Sequence, residues 1–250
     1  MADTKLEKWW EENIKENEAE LVVAGSFACK KMYDYFSVKI EDPCAMIAFY
    51  CIIFDNITQE IREREKEYDN FSIDIADRLT VGYTTTSDED DEKVGNFMIY
   101  MKNLVGKSVK ELSSYTDDET DDIEKIRKMS SDDESTIELI TNWNATNIKE
   151  NADIIKDIAS KSKDDISKIL DYKMGTHELI FPMFCTVHDA ILCELALEKT
   201  SRKKSEVELA IAGWFTVGIQ STDDGDDIYF DPSPSLKLKF KDDSIASGDE

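Results

Sequence analysis

Cys185 and His188 stand three residues apart in FPMFCTVHDA (181–190), with Asp189 next in line. On a helix that spacing puts thiol and imidazole on one turn, the minimum for a thiolate nucleophile with its base. Two observations weigh against it. A thiol among Phe, Met and Val behaves as a small hydrophobe, and its pKa rises in such surroundings. A second stretch, MIAFYCIIFDN (46–56), repeats Cys185 as Cys51 and Asp189 as Asp55, but carries Phe54 in place of His188. The cysteines read as packing residues, and an enzyme using Cys185 and His188 is the minor alternative. Asp55 and Asp189, repeated inside apolar helices, suit acid/base chemistry. The plainer reading is a helix-surface Asp that caps or bonds a neighbouring backbone group.

The only other histidine is His177, so Cys and His are too few and too scattered for zinc. DDGDDIYFD (223–231) is dense in oxygen ligands but lacks the alternate-position spacing and closing Glu of a calcium loop. It reads as a solvated hairpin turn. No G-x-x-x-x-G-K-[ST], G-x-G-x-x-G or G-x-S-x-G occurs. No cofactor and no metal is expected.

The remaining chemistry is charge. Asp+Glu number 55 against Lys+Arg 30, a formal net charge of −25. Solubility of a small domain needs a magnitude of only about 2–8, and self-repulsion on this scale costs stability. Direct binding to nucleic acid is disfavoured, because affinity for phosphate needs clustered Lys and Arg. The acids gather in runs: SDEDDE (87–92), TDDETDDIE (116–124), SSDDES (130–135) and TDDGDD (222–227). Carboxylates at phosphate-like density suit a basic protein groove, by salt-sensitive association. The candidate partner-binding residues are Asp88, Glu89, Asp90, Asp91 and Glu92 in one turn, and Asp223, Asp224, Asp226 and Asp227 in the other. Trp9, Trp10, Trp143 and Trp214 are candidate aromatic anchors; the plainer reading has Trp9 and Trp143 packing the repeat core while the acids keep the chain soluble.

The function expected is that of a non-enzymatic acidic binding protein occupying a basic surface of a partner. Inhibition of a nucleic-acid-binding enzyme, of viral anti-defence or immunity type, fits this physics. The alternative is an adaptor or assembly chaperone that binds through apolar faces. MADTKLEKWWEEN at the start has no apolar signal region, and no apolar run approaches the ~18 residues a bilayer needs. The five cysteines form no CxxC pair. A cytoplasmic protein with reduced thiols is expected, monomer or homodimer, with no membrane partner.

The elements that must position these residues occur twice. NIKEN at 13–17 recurs at 147–151, an offset of 134. The same offset lays Trp9 on Trp143, Cys51 on Cys185, Asp55 on Asp189 and Glu60 on Glu194. At offset 136, FSIDIADRLTVGY (71–83) falls on VELAIAGWFTVGI (207–219), sharing Thr-Val-Gly. A period this long is a whole module rather than a solenoid unit. A first helical region carries Trp9 to Met32 in one copy and spans 136–172 in the other. A second helix follows Pro43, a first-turn residue, to about Glu67, with a counterpart at about 177–200. Alternation then places Phe71, Ile73, Ile75, Leu79, Val81 and Tyr83 on one face, and likewise Val207 to Ile219, although 205–213 also suits a short helix. Gly82 and Gly218 inside these runs suggest a bulge. Further strands are expected at 96–101, 228–230 and 235–240.

The fold class expected is therefore α+β: two tandem similar modules, each with helices packed on a small antiparallel sheet. Residues 1–112 form the first module, 113–135 an acidic linker, 136–241 the second module and 242–250 a disordered tail.

Overall fold

The two NIKEN segments do the same local job. In the computed structural model of the chain, Asn13 and Asn147 end helices α1 (Lys5–Asn13) and α4 (Glu134–Asn147). Each donates its side-chain amide to the carbonyl of the tryptophan four residues earlier, Trp9 or Trp143, at 2.7 Å in both cases. Asn17 and Asn151 then take the left-handed conformation, φ 54° and 55°, which Asn tolerates better than most residues. Helices α2 (Glu18–Phe36) and α5 (Ala152–Leu170) start there, and both stop on left-handed residues, Ser37 and Asp171. The expected single helical region 136–172 is thus two helices, broken at Asn151.

The structure describes residues 4–65, 70–75, 79–86, 96–103, 134–148, 151–212, 215–222 and 225–232. The acidic run 87–92, most of the expected linker, the strand expected at 235–240 and the tail lie outside them.

Helix α3 (Pro43–Glu65) begins at its proline, as expected. Its counterpart opens with a 3₁₀ turn (His177–Leu179), capped by the Thr176 side chain, and continues as α6 (Ile180–Arg202). Each long helix leads into a three-stranded antiparallel sheet in consecutive order. The first is β1 (Asn70–Ile75), β2 (Leu79–Thr86) and β3 (Asn96–Asn103); the second is β4 (Glu206–Ile211), β5 (Phe215–Thr222) and β6 (Gly225–Pro232). Residues 206–211 are strand, not helix. The expected faces hold. Phe71 opposes Tyr83, Ile73 opposes Val81 and Ile75 opposes Leu79; Val207 opposes Ile219, Leu209 opposes Val217 and Ile211 opposes Phe215.

No bulge forms at either glycine. The register runs unbroken through Gly82, between Ser72 and Tyr100, and through Gly218, between Glu208 and Tyr229. In both sheets the glycine lies opposite a tyrosine of the third strand in the register.

The fold is α+β, with one continuous core. Each sheet packs on the long helix that precedes it: β1 and β2 on α3, β4 and β5 on α6. The helices also cross between halves. α2 packs on α6, and its equivalent α5 packs on α3; α1 packs on α5, and α4 on α2. α3 and α6 meet each other, as do β3 and β6. The central pair therefore has neighbours on every side, and both helices are apolar nearly all round. By length and composition both pass for membrane-spanning helices, yet most of each is buried within the protein, the pattern of a core helix. Between halves, Asn56 of α3 donates to Ser162 Oγ at 3.3 Å and Asp165 Oδ2 at 3.1 Å on α5. Asn56 is 2% exposed, which hides the sequon Asn56-Ile-Thr58. Trp9 and Trp10 are buried core residues rather than surface anchors. Trp143 packs edge-on against Phe36 at 6.3 Å, and Trp214 lies outside the described residues.

The crossing of α2 and α6 contains one electrostatic misfit. Glu60 on α3 pairs with Arg64 at 2.7 Å, but the equivalents on α6 are Glu194 and Glu198. Burial, then the charges of Glu20 and Glu198, push the Glu194 carboxyl above its ordinary value. A raised carboxyl pKa means the folded state takes up a proton before the unfolded state does. The ionised form therefore opposes folding near neutrality, and this penalty fades as pH falls through the folded pKa. Glu194→Gln is expected to raise the melting temperature at pH 7 by about 1–2 °C, a half-exposed site being partly screened. The gain should vanish towards pH 4; thermal melts of both proteins at the two pH values check it.

Candidate functional site

Of the expected partner-binding residues, Asp88, Glu89, Asp90, Asp91, Glu92, Asp223 and Asp224 lie outside the described residues. Asp226 and Asp227 open β6, at the register positions of Ser221 and Gln220. Both Ser221 and Gln220 are exposed. The two acidic turns join the second strand to the third in each sheet, and those third strands, β3 and β6, are the ones that approach each other.

Cys185 and His188 are both buried on α6 rather than placed at a surface. Tyr50 of α3 stacks on Phe184 of α6, its own equivalent at offset 134, with centroids 4.7 Å apart and planes 15° from parallel. His188 lies against the same tyrosine at 6.2 Å, and the Tyr50 hydroxyl shares a 3.1 Å hydrogen bond with His188 Nδ1. Burial, with lesser contributions from Cys51 and Cys185, pushes the Tyr50 phenol well above its ordinary value. Burial, then Asp55, raises the Cys51 thiol in the same way. A thiol held protonated is a poor nucleophile. At the periphery, burial followed by the Asp42 charge lifts Cys29 to about 12 and Cys44 to about 11. All five cysteines are free. Asp55 accepts from the side-chain Nε2 of Gln59 at 2.9 Å, one turn along its own helix. Among the described residues, no group of three or more His, Cys, Asp or Glu is placed to hold a metal.

A cleft lies elsewhere among the described residues. The connections 37–42 and 171–176, equivalent at offset 134, line the same cleft of about 450 Å³. Val38, Ile40, Ile140, Tyr172, Leu179 and Met183 supply its apolar walls. Its polar groups are Lys39 and Lys173, equivalent residues of the two connections, with Thr136 and Thr176; among the described residues no Asp or Glu lines it. Lys39 bonds Glu41 at 2.6 Å. Lys173 is exposed and has no partner among the described residues. Thr136, in the first turn of α4, is 1% exposed, and its hydroxyl lacks a hydrogen-bond partner. The reading from sequence missed this cleft. The available signal was the shared Lys in SVKIED and DYKMGT, which falls on the repeat offset.

Comparison with protein-family models, with curated proteins and with solved structures returned no match.

Proposed function

We propose that this chain is a fused, internally duplicated binding protein whose acidic hairpins occupy a basic surface of a partner protein, without catalysis of its own. Duplication is supported by the recurrence of three helices followed by three antiparallel strands. It is supported further by the left-handed Asn17 and Asn151, by the matched Trp9–Asn13 and Trp143–Asn147 bonds, and by the stacking of Tyr50 on its own equivalent Phe184. Residues related by a twofold axis meet one another only beside that axis. The pairings of α2 with α6 and of α5 with α3 exchange under the same operation.

The observation that carries the binding reading is the net charge of −25, with acidic runs at the same hairpin of each half. A partner with a nucleic-acid groove fits it best, which suits inhibition of a nucleic-acid-binding enzyme. Immobilised protein should capture a basic partner at low ionic strength. Affinity is expected to fall on the order of tenfold or more between about 0.05 and 0.5 M salt, as screening shortens the reach of the charges. Neutralising Asp88, Glu89, Asp90, Asp91 and Glu92 together with Asp223, Asp224, Asp226 and Asp227, as Asn or Gln, should abolish capture. One observation favours the second reading, an adaptor that binds through apolar surface. Val23, Phe27 and Tyr35 form a stripe on α2, Val23 and Tyr35 are exposed, and Lys31 lies over the Phe27 and Tyr35 rings at 5.3 and 5.4 Å. Capture that resists salt and is lost in Tyr35→Ser would select that reading instead.

A further inference from the structure

We infer that the cleft between the two equivalent connections is a binding site for a small amphipathic anion, a carboxylate carried on an apolar chain. The lining is the opposite of the molecule around it. In a chain with 55 acidic and 30 basic residues, the walls contain two lysines and, among the described residues, no carboxylate. Lys39 is held by Glu41, which leaves Lys173 as the cation to meet an incoming anion. The buried Thr136 hydroxyl lacks the partner that such a group almost always has. Thr136 lines the cleft, where a ligand oxygen would supply one.

The remaining walls select an apolar body. Ile40, Ile140 and Met183 are among the buried residues that reach the cleft. At about 450 Å³ the space falls in the range of ordinary small-ligand sites. A purely apolar ligand would leave Thr136 unsatisfied, and a cation would meet Lys173. The site is independent of the acidic hairpins, so it stands whether or not they bind a partner.

Gly175 provides a clean test. Gly175 lines the cleft and a Cβ built there meets nothing within 4 Å, so a larger side chain is added at the lining without pressing on the core. Octanoate, 1-octanol and octylamine, titrated into the full chain by calorimetry, separate the chemistry. Octanoate is expected to bind saturably, at least tenfold tighter than octylamine and more tightly than octanol. Gly175→Leu should abolish octanoate binding with an unchanged melting temperature. Lys173→Gln should weaken octanoate five- to tenfold and leave octanol unaffected. Absence of saturable octanoate binding, equal binding of octylamine, or octanoate binding that survives Gly175→Leu would each overturn the assignment.

Discussion

Divided between its halves, as residues 1–112 and 134–250, the chain is expected to lose its monomeric fold and to regain it when the pieces are mixed. The reason is the way the helices cross. α3 is covered by α5 and α6 from the other half, and α6 by α2. Met46, Phe49, Tyr50 and Ile53 on α3, and Phe184 and Ile191 on α6, are fully buried. Exposing a large apolar side chain costs about 1.5–3 kcal/mol, against a total stability of roughly 5–15 kcal/mol for a typical protein. Losing the covering helices uncovers several such side chains at once, which exceeds that margin. Each piece alone at micromolar concentration should show weak, non-cooperative melting, or pair with itself. Equimolar mixing should restore the circular dichroism and the cooperative transition of the intact chain. A homodimer of either piece would place a second copy where the other half normally sits, as an ancestral twofold dimer would. A single piece that melts cooperatively as a monomer would refute the shared core.

Helices and strands were legible because each leaves a period in the apolar residues. Pro43 marked the start of α3, and alternation from Phe71 to Tyr83 marked two paired strands with the correct buried face. What the pattern does not carry is the identity of the covering element. An apolar stripe on α2 says that one face is buried, not that α6 of the other half buries it. Reading each half as helices packed on its own small sheet therefore missed that α3 and α6 also pack on helices of the other half. The bulge at Gly82 and Gly218 was misread for a related reason. Glycine in a strand signals an unusual neighbour, but the residue opposite, Tyr100 or Tyr229, lies on another strand whose register no local period fixes. The cleft assembles residues from 38–40, 136–140 and 172–183, three segments that no local period connects. Trp9 and Trp10 were offered as anchors on residue type alone, and burial assigns them to the core.

Gly25→Ala is expected to destabilise the protein, although the same change in an ordinary helix interior gains about 1 kcal/mol. Gly25 is buried in the middle of α2, where that helix crosses the first turn of α3. A Cβ there would lie 2.4 Å from the Pro43 carbonyl oxygen and 3.0 Å from its carbonyl carbon. The obstacle is backbone, which cannot rotate away as a side-chain tip can. Pro43 is also fixed by its ring at the helix start, so α2 has to move off α3 as a body. Overpacking of this kind costs about 1–3 kcal/mol, which outweighs the propensity gain, and Gly25→Leu should cost more than Gly25→Ala. The second half supplies the control. The residue equivalent to Gly25 is Ala159, and the residue equivalent to Pro43 is His177, in a 3₁₀ turn. There the chain already carries a methyl group, 4% exposed within the core. Ala159→Gly should therefore destabilise through lost helix propensity, by about 1 kcal/mol. Opposite substitutions at two equivalent sites would thus have the same sign. Urea unfolding of Gly25→Ala, Gly25→Leu and Ala159→Gly measures all three. A stabilised Gly25→Ala would mean that α2 does not approach Pro43 as closely as the contact requires.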